Sequence, residues 1–271
     1  MRDDWKRFEG HVLNDKFPLQ KFLGSTSYSA VFLTQSPPPQ PKTIAVKFIS
    51  PRAKTDLQTS LLHSASKLRH PSLVRLLPGG RCQLAGMDLV FTLMEYAEED
   101  LGQVLPYRPL SGKEAREILG PLLEALGFIH SNGFAHTHIK PSNIMAIDGQ
   151  LKLSSDTVLR LGEPRPDYRP VDAYDAPEAA TARAAGASDV WSLGVTLVEV
   201  LTQQTPVSSP ESQTEPWVPS TIPQPFLDIA RHCLRRDPGL RWTTAQIADC
   251  LTAPPSKLPP QPQKSSPLKR K

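Results

Sequence analysis

The sequence runs to 271 residues, enough for one large domain or two lobes sharing a cleft and too few for a many-domain array. Lys+Arg 31 against Asp+Glu 27 leave a formal charge of +4, and 39% hydrophobic with 21% charged residues describe a soluble folded chain rather than a disordered one. So mild a charge, with no basic patch interleaved with aromatics before the last few residues, excludes nucleic acid as an expected partner.

Residues 1–16 read as an extension ahead of the domain, without the apolar core of a signal peptide. No run anywhere approaches the ~18 apolar residues of a membrane span. Cys82, Cys233 and Cys250 lie far apart, outside any CxxC or Cys/His zinc spacing, which points to a reducing, cytoplasmic setting. Strands are predicted over Phe17 to Leu23, Tyr28 to Leu33 and, after the turn Pro37 to Pro41, Ile44 to Ile49. Leu57, Leu61, Leu62, Ala65 and Leu68 recur at helical spacing, and Leu89 to Met94 reads as a buried strand. Beyond it the pattern turns helical. Ser111-Gly112-Lys113-Glu114 is a capping box ahead of Ala115 to Ile129, with Pro121 expected to bend that helix or lie in its early turns. Asp189 to Leu201 is apolar nearly all round and should be buried, and Thr243 caps a last helix through Leu251. Residues 253–271, rich in Pro, Lys, Gln and Ser, read as a disordered tail closing in Lys269-Arg270-Lys271.

Certain short motifs stand in a fixed order along this frame. They are Leu23-Gly24-Ser25-Thr26-Ser27-Tyr28-Ser29-Ala30-Val31, Ala45-Val46-Lys47, Met94-Glu95-Tyr96, His136-Thr137-His138-Ile139-Lys140-Pro141-Ser142-Asn143, Ala176-Pro177-Glu178, Asp189 to Gly194, and Arg241. In that order and spacing, residues 17–252 resemble the eukaryotic-type protein kinase family, in texture nearest its bacterial Ser/Thr members. The resemblance implies an α+β, bilobal fold, with a small β-rich lobe over 17–94 and a larger helical lobe over 95–252. It implies a nucleotide cleft formed by Gly24, Lys47, Met94, Glu95, Tyr96 and Asn143, with Met94 as gatekeeper. His138, Lys140 and Asn143 fall on the catalytic loop. His136 and Asp189 would brace that loop, and Glu178 with Arg241 would form a buried ion pair.

The departures fall on the groups that do chemistry. Where active members carry the Asp that accepts the substrate proton, this chain has His138, and where they carry the Asp that holds Mg²⁺ it has Ser155. An imidazole can act as a base, whereas a lone hydroxyl is a poor anchor for a hard cation. Asp156, one residue along, is the alternative ligand if the backbone slips. Leu61 replaces the helix carboxylate that pairs with the nucleotide lysine, so Lys47 is expected to lack its usual orienting partner. Thr26 and Ser29 replace glycines of the phosphate-covering loop. Between Val158 and Glu178 there is no Ser or Thr, and the Arg that would receive a phosphorylated loop is Thr137. These changes imply a pseudokinase: a signalling or scaffolding domain offering a kinase-shaped surface to a protein partner, binding ATP weakly or not at all, with little use for Mg²⁺. A divergent Ser/Thr kinase using His138 and Asp156, and a nucleotide sensor without turnover, remain the alternatives. The basic tail would act as a spacer, bringing the domain near an anionic membrane if the natural gene continues into an anchor.

Overall fold

Seven residues, Thr43–Ile49, set the design of the small lobe, because strand alternation sends Ile44, Val46 and Phe48 to one face of a sheet and Ala45, Lys47 and Ile49 to the other. The computed structural model describes residues 5–50, 55–166, 169–180, 183–206 and 214–253. Its main sheet is antiparallel and five-stranded, built from β1 (Lys21–Ser25), β2 (Ser29–Gln35), β3 (Thr43–Ile49), β4 (Leu76–Leu84) and β5 (Met87–Glu95) in the order β1-β2-β3-β5-β4. Helix α1 (Thr55–Ala65) follows β3 and packs on β4 and β5. Its apolar residues Leu62 and Ala65 join Ala45, Ile49, Val90 and Met94 in the core that continues into the large lobe.

The opposite face of the sheet is covered by the segment ahead of it. Trp5 and Phe8, on the short helix Trp5–Phe8, and Leu13 are buried against Phe32, Val46, Phe48 and Phe91. Phe32 meets Phe22 and Phe48 edge to face at 5.5 and 5.9 Å. Residues 5–16 are therefore built into the small lobe, where the sequence had set them apart as an extension. The strand expected over Phe17 to Leu23 is divided: Phe17–Pro18 pairs with Val12–Leu13, and β1 begins at Lys21. Strand β4 was not anticipated, because Pro78-Gly79-Gly80 reads as a loop. The chain there makes an irregular step against β5, and a side chain on Gly79 would collide with the Phe91 carbonyl.

The large lobe carries α2 (Leu101–Val104), α3 (Gly112–Ser131), α4 (Gly186–Thr202), α5 (Phe226–Cys233) and α6 (Thr244–Thr252). The reciprocal hydrogen bonds of the Ser111/Glu114 and Thr243/Gln246 capping boxes start α3 and α6 where the sequence placed them. Helix α3 continues through Pro121 rather than starting near it. Helix α4 is buried along almost its whole length, and the missing side chain of Gly194 lets Cys233 and Leu234 at the end of α5 pack against it. Among the described residues, no helix is long and apolar enough to cross a membrane. The expectations for the tail fall on residues 254–271, outside the described ones.

Candidate functional site

The loop after α3 is held from below by one carboxylate. Asp189, fully buried in the first turn of α4, accepts hydrogen bonds from the backbone N–H groups of His136 (2.7 Å) and Thr137 (2.6 Å) and lies 2.8 Å from His130 Nε2. These bonds fix Thr137 at φ 64°, a left-handed conformation that a β-branched residue seldom adopts. The His136 ring is fully buried. Its Nε2 donates to the Ser154 carbonyl at 2.7 Å and its Nδ1 accepts from His138 N at 3.3 Å, the two roles that a neutral imidazole can fill together. Burial pulls its pKa down to about 4, so the ring stays neutral. A second brace lies at the end of the segment. Arg241, its side chain wholly buried, grips Glu178 with two bonds of 2.6 and 2.8 Å and also donates to the carbonyls of Ala187, Arg235 and Arg236. Glu178 keeps 23% of its side chain exposed, so the pair is buried on the arginine side only.

Above these braces a cleft between the lobes is lined by Lys47, Leu61, His138, Lys140, Asn143 and Asp156, with Thr26 and Tyr28 as its roof. Strand β3 delivers Lys47 there because it shares the inward face of Ala45 and Ile49. Lys47 is not left alone: it forms an ion pair with Asp156, which also accepts from the Ser154 hydroxyl. Burial by itself would raise the Asp156 pKa, but the charge and hydrogen bond of Lys47 and the Ser154 hydroxyl outweigh it and hold the acid at about 2. Ser155 turns the other way, donating to the Val74 carbonyl at 2.6 Å from a buried position. The acid that reaches the cleft is thus Asp156, and the alignment of Ser155 with the metal-holding position is corrected by this one-residue change of direction. Leu61 does stand in the cleft where the helix carboxylate was expected.

His138 is 94% buried, with Nε2 3.0 Å from Asp172 Oδ2. Burial lowers its pKa, and the charges of Lys140 and Arg169 add to that against the opposing bond to Asp172, so the ring is neutral at neutral pH. Asp172 also lies 3.7 Å from Lys140 and accepts from Tyr174 N. Burial would raise this acid too, but the His138 hydrogen bond leads the interactions that bring it to about 2. Asn143 donates through Nδ2 to the His138 carbonyl at 2.6 Å, which fixes the loop and leaves the amide oxygen for another partner. Asp172 was not singled out in the sequence, where nothing distinguishes it from other acids of its segment.

Of the other residues assigned to a nucleotide cleft, Gly24 lies on β1, Met94 and Glu95 lie on β5, and Tyr96 follows β5 directly. Met94 is buried in the sheet, paired with Ala45 and Leu76. The Glu95 carboxylate is committed to Lys152 at 3.0 Å and to Arg75 N at 2.8 Å. At the turn between β1 and β2 the Thr26 hydroxyl accepts from the N–H groups of Tyr28 (3.3 Å) and Ser29 (3.1 Å) and sits 2.8 Å from the Ser29 hydroxyl. Donors that would cradle phosphate are therefore tied up within the turn. Two residues could hold a cation beside a nucleotide, Asp156 by its carboxylate and Asn143 by its amide oxygen. Among the described residues no group of three or more His, Cys, Asp or Glu is arranged to bind a metal.

Comparison with protein families matches the protein kinase domain to residues 17–251. Among curated relatives, a probable serine/threonine-protein kinase of Dictyostelium discoideum is 31% identical over 154 residues, covering 54% of this chain and 30% of its own length. Serine/threonine-protein kinase SSN3 of Chaetomium globosum is 27% identical, covering 70% of this chain and 41% of its own. Serine/threonine-protein kinase fused of Drosophila melanogaster is 27% identical over 254 residues, covering 86% of this chain and 31% of its own. The chain thus spans less than half the length of each of these relatives.

Proposed function

The chain belongs to the protein kinase family, and from that premise we propose that it is a catalytically impaired member, a pseudokinase that presents its folded surface to a protein partner. The observation that carries this reading is His138. The group at the proton-accepting position is a buried neutral imidazole whose Nε2 is tied to Asp172, not a carboxylate open to a substrate hydroxyl. The self-bonded turn at Thr26 supports it, since that turn has few donors left for phosphates. Lys47 is the chain's own group for nucleotide phosphates, and a nucleotide must compete with Asp156 for it. ATP binding is therefore weak and nearly indifferent to divalent metal. The likeness to bacterial kinases and a place on the cytoplasmic side belong to the same proposal.

A second reading, a slow Ser/Thr kinase, is favoured by two features. Asp156 reaches the cleft beside Lys47 and could turn to a metal, while Asp172 orients His138 as an acid orients a catalytic histidine. Purified protein incubated with labelled ATP, Mg²⁺ or Mn²⁺ and a generic protein acceptor should give no more label than the Lys47→Met variant. Robust labelling that Lys47→Met abolishes would replace the first reading by the second. A thermal shift with ATP that needs Mg²⁺ and disappears in Asp156→Asn would point the same way.

A further inference from the structure

Below the cleft, in the segment that runs towards Glu178, two arginines turn inward. Arg169 is 8% exposed, and the side chain of Arg165 is 13% exposed. Both reach Asp175, Arg165 at 2.8 Å and Arg169 at 3.7 Å, and Arg169 also donates to the Thr137 hydroxyl at 3.2 Å. Among the described residues, Asp175 is the carboxylate paired with both guanidinium groups, while Asp172 is held by His138 and Lys140.

The hydrogen-bond inventory is incomplete in the same place. Arg165 Nε and NH1 and Arg169 Nε are shielded from solvent and have no hydrogen-bond partner. A buried N–H without a partner costs about 1–3 kcal/mol, more when the group is charged, and native proteins seldom tolerate several in one spot without an ion or water. Three such donors on two adjacent guanidinium groups form a concentrated deficit. They belong to residues lining a small, open cleft of about 30 Å³, whose wall is otherwise made of short side chains, Ala176, Ala179, Ala184 and Ser188. Burial lowers the Arg169 pKa, and the charge of Arg165 adds to that, as expected where positive charge is undercompensated.

The geometry points to an anion site here, formed by Arg165 and Arg169 beside Asp175, that takes a free phosphate-type oxyanion. A water could accept from one or two of these N–H groups but would leave the excess positive charge in place. An oxyanion supplies both the charge and several acceptors in the spacing that guanidinium forks match. The segment contains no Ser or Thr between Val158 and Glu178, so the oxyanion is not provided by phosphorylation of such a residue there. Binding would tie Arg165 and Arg169 together and stiffen the stretch that carries Asp172 onto His138.

The test uses the full chain in a buffer of constant ionic strength, titrated with inorganic phosphate in place of chloride. Thermal unfolding should shift upward by several degrees in a saturable way, and titration calorimetry should give one site. The response should survive in Lys47→Met, which removes the cation of the nucleotide cleft, and fall at least tenfold in affinity in Arg165→Gln. Arg165→Lys, which keeps the charge but loses the fork, should lie between them and guards against a folding failure in the glutamine variant. A phosphoserine peptide serves as the second arm. Binding of that peptide without binding of inorganic phosphate would overturn the free-anion assignment. So would a phosphate response that persists in Arg165→Gln, one that disappears in Lys47→Met, or none at all.

Discussion

The braces beneath the catalytic loop and the groups that face the cleft come from the same stretches of chain, yet they are built differently. His136, Asp189 and Arg241 bond to backbone: Asp189 holds two amides, and Arg241 holds three carbonyls besides the Glu178 carboxylate. Lys47, Asp156, His138 and Asp172 instead satisfy one another in pairs of side chains. Backbone partners cannot be exchanged without unfolding, whereas side-chain pairs can be broken by rotation. The comparison teaches that the braces of this loop are anchored on backbone, whereas its cleft-facing groups are held mainly by one another.

The largest test of this separation is Arg241→Ala, which removes both hydrogen bonds to Glu178 and leaves three carbonyls without their donor. Breaking such a pair on its buried side costs about 3–5 kcal/mol, read as a fall in the urea midpoint. Glu178→Ala should cost less, because its carboxylate is part exposed and Arg241 keeps its carbonyl partners. Lys47→Met should cost less again. A Lys47→Met variant as unstable as Arg241→Ala would erase the distinction between brace and cleft.

Acid sharpens the comparison, because brace and cleft titrate in different windows. His136 has its folded pKa depressed from 6.5 to about 4. The stability it contributes is complete above pH 6.5 and is lost as pH falls towards 4, a decline of about 3 kcal/mol at 1.36 kcal/mol per unit. Asp156 is depressed from 3.8 to about 2, so its contribution of about 2 kcal/mol is present above pH 3.8 and lost as pH falls towards 2. Urea unfolding across pH 7 to 2 should show two successive losses, and Asp156→Asn should remove the lower one alone. An unchanged lower loss in that variant would mean that the Lys47 pair is not what holds Asp156 ionised.

Much of this frame is legible in the sequence, because periodicity and capping are local. The Ser111 and Thr243 boxes, the all-round apolar α4 and the alternation in β3 each report their surroundings directly. What escaped depends on contacts between distant residues. Trp5 and Phe8 look like a loose start until the outer face of the sheet needs a cover. Ser155 and Asp156 differ in which way one residue of backbone points, and motif spacing alone does not show that Asp156 is the one that reaches Lys47. Asp172 meets His138 across 34 positions, a pairing that no local pattern encodes.

The smallest expected effect concerns that pair. His138 lies on a loop, yet a residue 94% buried with a bond to Asp172 predicts a loss of about 1–2 kcal/mol in His138→Ala. The loss stays modest because Asp172 is 32% exposed and keeps Lys140, so water and a cation take over. Restoring the family's acid with His138→Asp should be worse than alanine at neutral pH, since it buries a second carboxylate facing Asp172 and each disfavours the ionised form of the other. Its stability should rise relative to alanine as pH falls and one of them takes up a proton. Adding Asp172→Asn to His138→Asp removes the repulsion, so the double variant should be more stable than the sum of the single changes predicts. A coupling of zero in that cycle would show that Asp172 does not sit on residue 138 in solution, and the assignment of the cleft as a set of self-satisfied pairs would lose its second member.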